Sequence, residues 1–396
     1  MKVLSFTNLY PNAIQPNLGV FVRERLRRLR NELHWEHRVI APLPFFPPIP
    51  GFGRWSEQGK VPRREIDEGV EVLHPRYLKL PGLGLEGQAR AMAKGVRKAF
   101  EKVVAEFRPD VIDAHYLYPD CVAAQILASE HGIPLVASAR GSDVNVLAKH
   151  EGPRAQLKEL LRSARFVCGV SEALCEKLRA LEPSAAAKIV HAPNGVDLEK
   201  FSPGPQAAAR QKVGLAEKGR WLLFVGRLVR TKGVHELLEA LAALPSEVSL
   251  CYVGKGEERG ALEARAKELR LEERVHFAGE VAHAALVPWY RAADRFVLPS
   301  YSEGHPNVVC EALACGLPVV ASAVGGVPEI AKSEVSDLFA VDPDDPARDM
   351  LPGLRTALQR SLQRTFSPAA LVEARRRLGW EPTIATLRGV FERAVS

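Results

Sequence analysis

Glu303 and Glu311 lie in the stretch Ser300-Tyr-Ser-Glu303-Gly304-His-Pro306-Asn307-Val-Val-Cys-Glu311-Ala-Leu-Ala-Cys-Gly316-Leu-Pro318. Glu303 falls in a loop of glycine and proline. Glu311 falls roughly one and a half turns into a helix that Pro306 is expected to open, since proline suits the first helical position. The preceding Arg295-Phe-Val-Leu-Pro299 is a short apolar run that reads as a buried strand. Strand, loop and helix start together set two carboxylates beside backbone N–H groups that attract anions. Such a site suits a ligand that carries both hydroxyls and phosphates, as a nucleotide-sugar does. A glutamate near a helix start is more often simply solvated, so the pair gains weight only from other stations along the chain.

Those stations recur after other strand-like runs. Trp221–Val225 leads into Gly226-Arg227-Leu-Val-Arg230-Thr-Lys232-Gly233 and then a helix. Cations at the carboxyl end of a strand can clamp a diphosphate, arginine by forking two oxygens and lysine as a point charge. The spacing is not that of a P-loop, and such a loop can also be an ordinary basic turn. Val253-Gly254-Lys-Gly256-Glu-Glu-Arg-Gly260 is a poor dinucleotide fingerprint, its third glycine being one place late. It reads as a tight turn that lets a base approach the backbone. In the first half, Val111-Ile-Asp-Ala-His115 ends a strand with a histidine, and Arg140-Gly-Ser-Asp143 ends the next one. The loop Asn17-Leu-Gly19-Val20 precedes a helix, where a glycine would let a phosphate reach backbone N–H groups. Asp342-Pro343-Asp344 reads as a turn, and no metal site is expected.

Positioning these stations requires alternating strands and helices. Candidate strands are Lys2–Thr7, His37–Ala41, Val70–Leu73, Val111–Ala114, Leu135–Ser138, Phe166–Val170 and Lys188–His191, then Trp221–Val225, Ser249–Val253, Val275–Phe277, Phe296–Leu298, Val319–Ala321 and Leu338–Val341. Helical patterns fill 20–33, 88–107, 120–131, 154–163 and 172–181, then 234–243, 257–270, 283–292, 307–315 and 345–363. Near-continuous apolar strands between helices imply parallel sheets covered on both faces. Two such runs imply an α/β chain of two doubly wound domains, with ligands outside the carboxyl ends of the strands, in the cleft between the domains. The expected division is 1–200, a proline-rich linker 201–219, a second domain 220–378, and a terminal helix 379–396 that crosses back to the first domain.

The chain has 396 residues, too many for one ordinary core. Its six cysteines form no Cys-x-x-Cys pair and no zinc pattern, so they read as small buried residues of a reducing compartment. Neither a secretory leader nor a membrane span is legible, and a cytoplasmic protein, or one peripheral on the inner face of the cell membrane, is expected. The net charge of +7 is uneven: residues 1–200 hold 29 Lys and Arg against 23 Asp and Glu. The excess is densest in the amphipathic stretch with Arg23, Arg25, Arg27, Arg28 and Arg30. Such a helix either lies on an anionic membrane or packs by its leucines with the arginines solvated. The segment 42–55 adds Phe45, Phe46, Ile49, Phe52 and Trp55 between prolines, an apolar patch suited to a membrane surface or to its own domain. No nucleic-acid-binding pattern appears.

Taken in order, the stations resemble the retaining, metal-independent glycosyltransferases of the GT-B fold, family 4, over about residues 2 to 332. The stretches that carry the resemblance are Asn17 to Glu24, Asp113-Ala-His115, Arg140 to Asp143, Ala192-Pro-Asn194-Gly-Val-Asp197, Leu223 to Leu228 with Lys232-Gly233, Glu303 to Val320, and Gly325-Gly-Val-Pro-Glu329. The first half is most similar to bacterial exopolysaccharide and cell-surface polysaccharide transferases. The resemblance implies an acceptor-binding first domain and a nucleotide-sugar-binding second domain. It implies that Arg227 and Lys232 neutralise the diphosphate, that Glu311 bonds ribose hydroxyls, and that Glu303 with the amides of Gly304 and Asn307 holds the transferred sugar. His115 and Asp143 would approach that sugar from the other domain, and Gly19 would line the phosphate site. The donor would be a nucleoside-diphosphate sugar and the acceptor a glycan or a lipid-phosphate-linked glycan, with no metal or other cofactor.

Other readings compete. A sugar-nucleotide epimerase shares the fold but calls for acid and base carboxylates in the cleft rather than Glu303-Gly-His-Pro-Asn307. A non-catalytic nucleotide-sugar binder has no need of both the Arg227/Lys232 cations and His115. A dehydrogenase fails on the broken glycine fingerprint.

Overall fold

The structure, a computed structural model, describes residues 1–45, 58–79, 84–342 and 345–396. Phe46, Ile49, Phe52 and Trp55 of the expected apolar patch, and Pro343 and Asp344, lie outside them. The chain forms two compact units, Met1–Asn194 with Glu381–Ser396, and Gly195–Trp380.

The first unit holds strands β1 (Lys2–Phe6), β2 (Glu36–Ile40), β3 (Leu43–Phe45), β4 (Arg64–Asp67), β5 (Val70–Leu73), β6 (Arg76–Leu78), β7 (Val111–His115), β8 (Leu135–Ala139), β9 (Phe166–Gly169) and β10 (Ile189–His191). Its helices include α1 (Val20–Leu33), α2 (Gln88–Phe107), α3 (Val122–His131), α4 (Ser142–Asn145), α5 (Glu151–Ser163) and α6 (Glu172–Leu181). Eight strands run in the order β10-β9-β8-β7-β1-β2-β5-β4, and β3 pairs separately with β6. The eight are parallel except β4, which turns back on β5 through Glu68 and Gly69, both at positive φ. β1 pairs with β7 on one side and β2 on the other, so strand order reverses at β1/β7. α1 packs through Val22, Leu26 and Leu29, spaced to share one face of the helix; burying each contributes roughly 1.5–3 kcal/mol.

The second unit holds β11 (Arg220–Val225), β12 (Val248–Val253), β13 (Val275–Gly279), β14 (Arg295–Leu298), β15 (Val319–Ser322) and β16 (Ser336–Phe339), all parallel, in the order β13-β12-β11-β14-β15-β16. Here the order reverses at β11/β14. Helices α7 (Gln206–Val213), α8 (Val234–Ala242), α9 (Arg259–Glu268), α10 (Val287–Ala292), α11 (Asn307–Ala314), α12 (Val327–Ile330), α13 (Pro346–Gln363) and α14 (Pro368–Arg376) belong to this unit. The closing helix α15 (Glu381–Val395) belongs to the first.

Three details depart from the sequence reading. The stretch 201–219 carries α7, whose buried Arg210 bonds the Ala292 carbonyl at 2.9 Å and Asp294 at 2.7 Å, so it is packed into the second unit. β16 begins at Ser336 rather than Leu338, because its polar residues find partners: Ser336 Oγ donates to Lys332 O, and buried Asp337 accepts from Arg360 at 2.6 Å. Pro306 is the N-cap of α11 and not its first residue.

Candidate active site

In the second unit, the loops after β11 and β14 flank the point where strand order reverses. Crevices at such switch points receive ligands in open α/β sheets. The β11 loop presents Arg227, which is exposed, and Lys232. Lys232 Nζ lies 2.6 Å from Glu303 Oε1, with the two side chains 29% and 10% exposed. The structure thus brings the expected diphosphate cation and the expected sugar carboxylate into direct contact. The same loops are pressed together backbone to backbone. A Cβ on Gly233, at φ +65°, would come 2.0 Å from Pro299 O, and one on Gly325 would come 1.9 Å from Glu303 O. The Gly326 N–H donates to Gly304 O at 3.0 Å, which fixes the loop holding Glu303.

Glu311 sits in the second turn of α11, 6% exposed. Its Oε1 is 2.8 Å from His283 Nε2, and its Oε2 accepts from Tyr290 at 2.7 Å. Both partners lie on the segment around α10. Burial and the Glu311 charge push the Tyr290 phenol well up, so it remains a donor. Asn307 opens α11, where the first-turn amides point outward. At Gly254 a Cβ would lie 1.9 Å from Gly226 O, so the glycine lets the β12 loop close on the β11 loop.

In the first unit, the stations at β1 and β7 are buried. His115 and Asp113 are fully inaccessible and 3.2 Å apart, and Arg25 of α1, 1% exposed, reaches Asp113 at 3.0 Å and Ser138 Oγ at 3.0 Å. Arg140 donates to His115 Nδ1 and, at 3.0 Å, to Asn194. Guanidinium has only donors, so Nδ1 accepts and the ring's proton lies on Nε2, facing Asp113. Burial lowers the His115 imidazole to about 4 against the pull of Asp113. Burial would raise Asp113, but Arg25, His115 and Arg140 outweigh it and hold that carboxyl well below the usual range. His115 Nδ1 is therefore engaged within its own unit, while Nε2 lies 3.2 Å from Asp113 Oδ2 without a well-formed hydrogen bond. Asp143 is likewise turned inward, accepting from the backbone amides of Leu117, Arg140, Gly141 and Val144 at 2.7 to 3.1 Å. Gly19, at φ +63°, yields space to Leu9 O, 2.1 Å from where a Cβ would stand.

Sequence reasoning gave Arg25 and Asp113 no role at the site and passed over Asp120. Asp120, fully buried beside the end of β1, accepts from the Asn8 amide, and burial raises its carboxyl to about 8. An acidic residue in Tyr118-Pro119-Asp120 carries no spacing that would have marked it. Other arginines of α1 form partly exposed ion pairs: Arg23 lies 3.8 Å from Asp67, and along the helix itself Arg27 lies 2.7 Å from Glu24 and Arg28 3.7 Å from Glu32. Two cavities lie away from these stations, one of about 530 Å³ around Tyr77, Lys79, Gln88 and His150, the other of about 660 Å³ around Lys200, Lys212, Trp289 and Arg291. They report concavity, not chemistry; the switch-point residues remain the better candidate on charge and placement.

Two Rossmann-like units of this topology define the GT-B class of glycosyltransferases. The sequence matches the family described as Glycosyltransferase Family 4 over residues 18–200 and that described as Glycosyl transferases group 1 over 205–363. It is 34% identical over 333 residues to TuaC of Bacillus subtilis, named as a teichuronic acid biosynthesis glycosyltransferase, covering 83% of this chain and 82% of that one. It is 32% identical to the D-inositol 3-phosphate glycosyltransferase of Xylanimonas cellulosilytica, covering 87% and 86%. The fold is similar to that of sucrose-phosphate synthase from Thermosynechococcus elongatus, with TM-score 0.81, 23% identity and coverage of 99% and 98%. It is also similar to that of HepE from Anabaena in complex with UDP-glucose, with TM-score 0.70, 22% identity and 99% of both chains. The chain belongs to the group 1, family 4 glycosyltransferases. It is an enzyme of sugar transfer.

Proposed function

We propose that the chain moves a hexosyl group from a nucleoside-diphosphate sugar to a glycan or lipid-phosphate-linked acceptor, with retention at the anomeric carbon and without a metal. The observation that carries this reading is the Lys232–Glu303 contact at the β11/β14 switch point, with Arg227 on the same β11 loop and Glu311 on the helix that follows the β14 loop. Negative charge grows on the diphosphate as the glycosidic bond breaks, so cations fixed beside it stabilise the transition state more than the ground state. Arg227 and Lys232 supply those cations and take the part that a divalent ion plays elsewhere. Among the described residues no group of three or more His, Cys, Asp or Glu is placed to hold a metal. Glu303 positions the sugar and favours positive charge at its ring, while Glu311 holds ribose hydroxyls. Amides at the start of α11, at Asn307, and of Gly304 assist.

The names of TuaC and of the inositol phosphate transferase support an acceptor from cell-surface polysaccharide or glycolipid synthesis. We place acceptor binding in the first unit. An anionic membrane face remains part of this reading, although α1 lends it little: its arginines are paired. The exposed Arg63 and Ile66 on and beside β4 are the better contact, while Arg64, also exposed, is paired with Glu71 at 2.7 Å. Among the described residues no helix is long and apolar enough to cross a membrane.

The test is incubation with UDP-, GDP- and ADP-sugars, reading nucleotide release with and without EDTA, and the anomeric configuration of the product by NMR. Release that survives EDTA and yields the donor's anomer is expected. Absence of release with any donor and a range of acceptors overturns the reading, and loss of activity to EDTA restored by manganese or magnesium overturns its metal-free part. Sedimentation with anionic and neutral vesicles tests the membrane contact; equal, negligible binding to both removes it.

A further inference from the structure

We infer that Tyr290 and His283 are positioning residues that aim the Glu311 carboxylate at a pair of adjacent ribose hydroxyls, and so set the enzyme's preference for an intact ribose. The inference rests on the donor site proposed above and names residues that neither spacing nor motif singles out.

A carboxylate as buried as Glu311 needs donors, since an unpartnered buried charge is strongly unfavourable. It has two, one per oxygen, from neighbouring positions on one short segment: His283 Nε2 at 2.8 Å and the Tyr290 hydroxyl at 2.7 Å. Each donor is itself held. The Tyr290 ring is buried, with Phe201 and Phe296 centroids 6.1 and 5.9 Å away. His283 packs on Phe201 with centroids 5.3 Å apart, and its Nδ1 is 3.3 Å from Lys200 Nζ. An ammonium can only donate, so Nδ1 must accept, and the ring's hydrogen is fixed on Nε2, facing Glu311. Lys200 thereby selects the tautomer that His283 needs to hold the glutamate.

A carboxylate offers about four acceptor sites over its two oxygens. Tyr290 and His283 take one on each and leave one on each. That arrangement matches a vicinal diol, whose two hydroxyls can each donate to one oxygen. A site built to accept two hydroxyls discriminates strongly against an analogue lacking them, because its acceptors are then buried without partners. If the carboxylate were free to turn, it could relax toward the protein and the discrimination would weaken.

The experiment is calorimetric titration of the full chain with UDP, GDP and ADP, and with the 2′,3′-dideoxy form of whichever binds, for the wild type, Tyr290→Phe, His283→Ala and His283→Gln, with thermal unfolding recorded for each. The wild type should prefer the intact ribose by about a hundredfold, on the scale of buried acceptors left unpaired. Tyr290→Phe and His283→Ala should each weaken binding of the intact nucleotide roughly tenfold, on the scale of one hydrogen bond to a charged group. They should bind the dideoxy form as the wild type does. His283→Gln, whose amide can still donate, should recover most of the loss. Saturating turnover should change far less than KM. Folded variants that keep the wild-type preference overturn the inference and leave the donor site standing. A wild type indifferent to the hydroxyls overturns the ribose role of Glu311 and the inference with it, and a wild type that binds none of the three nucleotides overturns the donor reading beneath both. If Tyr290→Phe fails to fold, the His283 pair, at a partly exposed position, decides the matter alone.

Discussion

The two sheets reverse strand order at β1/β7 and at β11/β14, and both switch points are crowded with charged side chains. At β11/β14 the cations face outward, Arg227 being exposed and Lys232 29% exposed, while Glu303 and Glu311 are 10% and 6% exposed. At β1/β7 they face inward: Arg25, Asp113, His115 and Asp143 are almost wholly buried and pair with one another or with the backbone, although Arg25 Nε, Asp113 Oδ2 and His115 Nε2 keep no hydrogen-bond partner among the described residues. The same topological position is thus used in two ways. In one unit the strand ends hold groups that a ligand can reach. In the other they hold a polar network that fixes the mouth of the sheet. Residue type at a strand end does not distinguish them, since both hold a distant ion pair; what differs is burial, Arg25 being 1% exposed on Asp113 whereas Lys232 beside Glu303 is 29% exposed.

Substitutions can break this contrast. The largest effect is expected for Arg25→Ala, which leaves Asp113 buried without its main counter-ion and should cost about 3–5 kcal/mol of stability, read by urea unfolding. A variant within 1 kcal/mol of the wild type, a difference of ordinary surface size, would show the inward network to be dispensable. Next is Glu303→Gln, which keeps shape and removes charge beside the developing cation. Turnover should fall about a hundred- to a thousandfold, whereas Glu311→Gln should mainly raise donor KM. The reverse pattern would exchange the two roles. Lys232→Ala should lower turnover by roughly ten- to a hundredfold, the range of a charge-assisted hydrogen bond, with a smaller change in donor affinity. Wild-type turnover would take Lys232 out of the site.

The smallest effect concerns pH. Asp120 keeps its proton in the folded chain up to about pH 8, whereas the unfolded chain releases it near 4. Between those values the folded state binds more protons, so Asp120 weakens the fold as pH rises through that window. His115, lowered to about 4, and His37, also lowered to about 4, act oppositely, removing stability as pH falls from about 6.5. Asp120→Asn should therefore gain stability relative to the wild type from pH 5 to pH 8, measured by chemical unfolding at each pH. A difference that is flat with pH would mean Asp120 is ionised when folded.

Much of the fold is legible because strand and helix patterns are local. The helices at 20–33, 88–107 and 172–181 carry apolar residues at helical spacing between clear ends, and they stand where they are expected. β4 is missed because Arg-Glu-Ile-Asp is mostly exposed, as suits an edge strand, although Glu68-Gly69 is a two-residue hairpin turn that could have marked it. α7 is obscured by Pro203 and Pro205, yet proline directly before Gln-Ala-Ala-Ala is itself a helix start. At the site, Lys232 and Glu303 are legible because each lies just after an apolar strand. Tyr290 and His283 are not, because their purpose is defined by Glu311, more than twenty residues further on. Arg25 is further out of reach: in sequence it is one arginine among five, and only contact with Asp113, 88 positions away, separates it from the others.

α15 joins the first unit after the whole second unit has been synthesised. Its Ile384, Leu387, Val390 and Phe391 are buried; the Phe391 ring meets Trp35 at 5.5 Å, and Arg393 lies over Phe166 at 5.0 Å. A ribosome adding about 5–20 residues per second leaves the first unit without this helix for roughly ten to forty seconds while the second is made. During that interval Trp35 and the residues around it face solvent or a chaperone. The apolar face around Trp35 is therefore closed only once the last helix of the sequence has been made.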